Sequence, residues 1–177
     1  MMGWLGLASQ RRDDGASRRM EIPLFPLNAV LFPGGLLPLR IFEQRYLDMA
    51  AACMKDDLPF GICLIVAGEE AGGVAEPHPV GTLARIADWE MEQLGILQVT
   101  TRGEQRFRIV DKAVGPNNLW RAGVEIIAND GPLPFPAQHE RLLPLLRRVA
   151  SDIGSARIPE PHHYDDAEWV GYRITEI

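Results

Sequence analysis

The sequence predicts an α+β fold in which strands and helices are segregated along the chain. Three observations carry the prediction. Short apolar runs of strand character recur between Glu21 and Ile127, one amphipathic helical stretch interrupts them early, and helical periodicities follow a proline-spaced connector at residues 132–136. At 177 residues the chain can bury a sizeable core without disulfides or a cofactor.

Residues 1–19 carry a local charge of +2, whereas the remainder sums to −8. Their short apolar patch around Trp4 and Leu7 precedes the arginines instead of following them, the reverse of a secretory signal, so a disordered tail or an upstream start is expected. From Ile22 to Gly35, short extended pieces are punctuated by Pro23, Pro26 and Pro33, which cannot donate to a ladder and favour strand ends. Between Ile41 and Asp57, Phe42, Tyr46, Met49, Ala50 and Cys53 recur at helical spacing while Gln44, Arg45, Asp48 and Lys55 fall elsewhere, which predicts an amphipathic helix.

Phe60 to Val66 is apolar on both alternating sets and reads as a strand covered on both faces. A Gly/Glu/Pro-rich loop over 67–79 leads to a strand near Gly81–Glu90. Gly95–Thr101 and Gln105–Val110 then suggest a hairpin turning at Arg102-Gly103-Glu104, with Phe107 and Ile109 inward and Arg106 and Arg108 outward. Trp120, Ala122, Val124 and Ile126 share one face of a last strand. Beyond Pro136, Leu142 to Ile153 form a helical stripe in which Pro144 kinks the helix or lies in its first turn. Asp165 with Glu168 suggests a capping box opening a helix through Trp169, Val170 and Ile174. That helix reaches Ile177 with apolar positions unspent, so a chain shortened at this end is expected.

Composition removes several function classes. No apolar run approaches the roughly 20 residues a membrane span needs, and the acidic balance opposes sequence-independent nucleic-acid binding. Cys53 and Cys63 fit no metal knuckle or redox spacing and read as buried thiols of a cytoplasmic protein. The only lysines, Lys55 and Lys112, stand outside any Gly-Lys-Ser/Thr motif, and no serine occurs from residue 20 through residue 150. His162, His163, Asp165 and Asp166, with His139 and Glu168 nearby in sequence, have ligand chemistry but poor spacing, so a solvated loop is expected and neither metal nor cofactor is implied. Glu69-Glu70 and Asp56-Asp57 read as solvated carboxylates.

Pro23-Leu24-Phe25-Pro26-Leu27-Asn28, Val30-Leu31-Phe32-Pro33-Gly34, Leu37-Pro38-Leu39 and Ile41-Phe42-Glu43 with Arg45-Tyr46 occur in that order. The series resembles the opening signature of the Lon protease N-terminal, substrate-binding domain family. The resemblance continues through Gly81 to Ile86, Gly103, Arg106-Phe107 and the Trp169–Ile177 segment, and so spans roughly residues 20–177. It implies a stand-alone member without the ATPase and protease modules: a PUA-like β-barrel subdomain with one early helix over 20–130, a connector at 131–136 and a small α-helical subdomain over 137–177. It also implies a non-enzymatic protein-binding module in protein quality control. Its partners would be unfolded or specific polypeptides, or a protease or chaperone.

The signature residues themselves are explained by turns and packing, since Pro23, Pro26 and Pro38 suit points of entry to and exit from the sheet and Gly34 and Gly35 suit turns. By residue type, Leu31, Phe32 and Trp120 are the candidate binding side chains. Two alternatives remain open: RNA binding through Arg102, Arg106 and Arg108, as in some PUA-like folds, and a hydrolase with an unrecognised site.

Overall fold

The computed structural model describes residues 19–129 and 131–177; the tail expected over residues 1–19 therefore lies, but for Arg19, outside the described residues. Strands β1 (Arg19–Leu27) and β2 (Leu36–Ile41) precede helix α1 (Gln44–Asp56). Strands β3 (Phe60–Ala67), β4 (Glu76–Gln93), β5 (Ile96–Val114) and β6 (Trp120–Ile126) follow. A short 3-10 helix, Ala137–Leu142, leads into α2 (Leu143–Ile153) and α3 (Ala167–Thr175). Strands followed by helices is the expected α+β order.

The six strands form one sheet in the order β2-β5-β4-β3-β1-β6, and a further β5–β6 pairing returns the sheet on itself. β1 exchanges partners midway: residues 19–23 run antiparallel to β6 and residues 24–27 parallel to β3. Among the described residues each half of β1 thus has one open side, which lets Pro23 and Pro26 sit inside a strand where its ends were expected.

Phe107, fully buried, organises the inner face with Ile22, Leu24, Cys63, Leu83 and Val124. A Cβ on Gly61 or on Gly81 would come within 2.6 Å of the Phe107 ring, so two glycines make the slot that receives it. The opposite face packs Phe25, Phe60, Ile62 and Val99 beneath Tyr46, Met49 and Cys53 of α1. Phe25 and Tyr46 stack at 4.0 Å. A third cluster joins Leu146 and Ala150 of α2 to Ile158 and to Val170 of α3.

Several expectations are corrected. No turn occurs at residues 102–104: β5 runs unbroken, and the hairpin turns at Leu94-Gly95, where Gly95 has a φ of +81°. β3 is covered on both faces only over Phe60–Cys63, with Leu64 and Val66 exposed past the rim. The loop expected over 67–79 is shorter because β4 begins at Glu76. Of the two placements expected for Pro144, the structure has the second: it lies in the first turn of α2, where its missing N–H removes no helical bond. Asp166 caps α3 by accepting from the Glu168 N–H, so the cap falls one residue later than expected and Asp165 takes no part in it.

Arg45 does not belong to a solvated helix face. It is buried, donates to the Asn118 carbonyl at 2.9 Å and the Gly73 carbonyl at 2.6 Å, and pairs with Glu43 at 2.9 Å. Helical spacing could not reveal this, because the two carbonyls it donates to come from loops distant in sequence.

Two outcomes follow. Phe107→Ala should cost about 3–5 kcal/mol in urea denaturation, whereas exposed Phe42→Ala should stay within about 0.5 kcal/mol. Burial pushes the Cys63 thiol up to about 12 and raises that of Cys53, so both should react with a thiol reagent at neutral pH only after the protein is unfolded.

Candidate functional site

The connection between β1 and β2 lies flat on β5. The Gly34 N–H donates to the Gly103 carbonyl at 2.8 Å, and the Gly103 N–H donates to the Gly35 carbonyl at 2.9 Å. A Cβ on Gly103 would collide with the Phe32 carbonyl oxygen, so this glycine serves a close backbone approach inside a strand. Gly34, at a φ of +72°, makes the turn.

This connection is also where the helices attach. The fully buried Arg173 of α3 donates to the Pro33 carbonyl at 2.9 Å and to Glu176 at 3.1 Å. Its Nε lies 3.1 Å from Glu176 Oε2 but lacks a well-aligned acceptor, leaving an ionic contact there in place of a hydrogen bond. Phe32 stacks on Tyr172 at 4.9 Å. The Tyr172 hydroxyl donates to Glu168, which also lies 3.6 Å from Arg106. Glu168, Tyr172, Arg173 and Glu176 therefore form the side of α3 that meets the sheet, while Val170 meets α2.

Burial outweighs the mutual attraction of Arg173 and Glu176. It lowers the Arg173 pKa and raises that of Glu176, although Arg173 and the Phe32 backbone both favour the carboxylate. Burial and the Glu168 hydrogen bond push the Tyr172 phenol up to about 12. These groups hold two elements together.

Beside this junction a cleft of about 620 Å³ opens between the β1–β2 connection and the helices. Leu31, Phe32 and Leu37 line one wall, and Val149, Ile153 and Ile158 line the other. Val30, half exposed, and Ile153, 42% exposed, stand among its lining residues. Its size and apolar walls suit the burial of side chains from a ligand.

The candidate side chains do not all meet. Leu31 and Phe32 share the cleft, although Leu31 also belongs to the core. Trp120 packs elsewhere against the inner cluster, donates through Nε1 to the Ala75 carbonyl at 2.8 Å, and carries Lys112 Nζ 4.8 Å from its ring centre. The arginine trio lies along β5, where Arg106 faces Glu168 while Arg102 and Arg108 stand exposed. His162 is no solvated loop residue, being half-buried beside Trp169 and hydrogen-bonded to Tyr164 at 3.2 Å. Among the described residues, no group of three or more histidine, cysteine or acidic side chains is placed to hold a metal. Sequence reasoning missed Ile153 and Ile158 as cleft residues, since nothing local says which part of the α2 stripe stays uncovered or where the loop after it packs.

In the window from the ordinary glutamate range up to its raised value, Glu176 holds its proton more tightly folded than unfolded. Its contribution to stability is then full at acid pH and declines as pH rises through that window. Glu176→Gln should abolish this decline, measured as urea midpoints over a pH series that starts at the ordinary glutamate value of about 4.3 and rises from there.

A family model described as the ATP-dependent protease La (LON) substrate-binding domain matches residues 21–166. Lon protease 2 of Myxococcus xanthus is 34% identical over 92 residues, covering 51% of this chain and 11% of the relative. Lon protease 1 of Bdellovibrio bacteriovorus is 27% identical over 135 residues, covering 75% and 17%. The chain thus spans less than a fifth of the length of these curated relatives. The crystal structure of a Lon N-terminal domain protein from Xanthomonas campestris matches with a TM-score of 0.72 at 34% identity, covering 89% of this chain and 82% of that one.

Proposed function

The chain belongs to the LON substrate-binding domain family, and from that premise we propose that it is a non-catalytic module that binds polypeptides in the cleft between its sheet and its helices. The observation that carries this reading is the apolar cleft of about 620 Å³. It is bordered by the same Leu31-Phe32 segment through which the family resemblance runs. Clients are unfolded or specifically marked polypeptides in cytoplasmic protein quality control, delivered to or shared with a protease or chaperone. No helix among the described residues is long and apolar enough to cross a membrane.

In this proposal the ring of strands is a PUA-like β-barrel subdomain over 20–130, joined by residues 131–136 to a helical subdomain over 137–177. The β5–β6 pairing and the separate α2–α3 cluster support that division. A non-catalytic role is supported by the two lysines standing outside any nucleotide-binding motif and by the lack of serine from residue 20 through residue 150. RNA is the less favoured reading, because Arg106 is engaged by Glu168 and the chain carries a net charge of −6.

Leu31 and Phe32 are proposed to shape the cleft, but alanine at either also disturbs the core or the Tyr172 stack. Val30 and Ile153 are the cleaner probes. Val30→Asp with Ile153→Asp should weaken binding of a reduced, alkylated model protein by about tenfold or more while circular dichroism is unchanged. Unaltered affinity would move the site off the cleft. An absence of any binding to unfolded chains would remove the polypeptide-binding role.

A further inference from the structure

The far half of the β4–β5 hairpin runs on past the end of the β3–β4 ladder, with β2 paired along β5 from Leu36↔Arg102 to Ile41↔Leu97 on its other side. β4 pairs with β3 only as far as Ala84, while its pairing with β5 continues from Asp88↔Thr100 to Gln93↔Ile96 past an irregularity at Ile86/Asp88. Among the described residues, the outer side of β4 past Ala84 has no strand partner. The end of α1 guards this edge only at its start, where Arg85 is held by Asp57 and by Glu104, each at 2.7 Å. From Ala87 to Met91 every residue is exposed.

The two faces of this arm differ in chemistry. Trp89 stands opposite buried Val99 on the face continuous with the core, yet it is 57% exposed, and Met91 is 51% exposed. Asp88 and Glu90 alternate with them on the other face. The Trp89 N–H donates to the Asp88 carboxylate at 2.9 Å, a local substitute for a strand partner. Leu94, 97% exposed, ends the arm.

Resting on the polypeptide-binding reading, we propose that this edge is a second docking surface, one that takes an extended polypeptide segment alternating lysine or arginine with apolar residues. Main-chain bonds along β4 fix such a segment, its apolar side chains cover Trp89 and Met91, and its cations face Asp88 and Glu90 across the strands. Charge decides against a second copy of this chain, because β4 against β4 would set Asp88 and Glu90 of the two edges against one another.

The test uses fluorescence anisotropy with a labelled ten-residue peptide alternating lysine with valine or leucine, and a matched peptide carrying glutamate for lysine. The full chain is compared with the double variant Asp88→Lys, Glu90→Lys, whose changes are on the surface. The lysine peptide should bind the parent chain in a salt-sensitive manner, bind the variant about tenfold more weakly, and exceed the glutamate peptide in affinity. Val30→Asp with Ile153→Asp should leave this binding unchanged. Equal affinity of the lysine peptide for parent and variant, or sedimentation showing a dimer that the reversal abolishes, would overturn the proposal. If the lysine peptide fails to bind the parent chain while an unfolded protein still binds it through the cleft, this inference falls and the cleft reading stands.

Discussion

The close approach of the Phe32–Gly35 backbone to Gly103 is the constraint on which the rest of the molecule depends. Because Gly103 lacks a side chain, the β1–β2 connection lies against β5 and exchanges main-chain hydrogen bonds with it. That contact turns Leu31 into the core, leaves the Phe32 ring to stack on Tyr172, and aims the Pro33 carbonyl at Arg173. A side chain at residue 103 would lift the connection and with it the helices it anchors. The cleft is a consequence of this arrangement, since one of its walls is the connection itself.

Burying Arg173 at that junction is costly in itself, and its value is positional. A guanidinium removed from water must find acceptors, and the available ones, Pro33 oxygen and Glu176, come from the two elements being joined. A well-packed apolar pair could supply comparable stability but would tolerate sliding of α3 along the connection. Arg45 acts similarly at the opposite end of the signature, tying α1 to the loops at Gly73 and Asn118. The family's polar signature residues thus define geometry before they define recognition.

Glycine, proline and arginine show how unevenly the sequence could be interpreted. Gly34 is a turn residue by its positive φ, as its setting beside Pro33 suggests. Gly103 looked like a turn residue because Arg102-Gly103-Glu104 separates two apolar alternations, and it is instead a contact residue within a 19-residue strand. Pro23 and Pro26 lie within β1 because β1 changes neighbours there, a fact that belongs to the sheet and not to the segment. The cleft was partly legible: Leu31 and Phe32 stood out by type, while Ile153 was indistinguishable from the rest of its helical stripe and Ile158 lies in the loop between α2 and α3.

By itself the sequence determined the α+β order, the existence of the early helix and most of the strands, the inward set of the last strand, and the family signature. These rest on local periodicity, on the restricted φ of proline, and on apolar burial, all encoded within a few residues. Only the tertiary structure decided where β5 continues, which arginines are buried, which side chains meet at the cleft and which edge of β4 is left open. Each of those depends on atoms that approach across tens of residues, and no local preference records what a distant backbone will place beside a side chain.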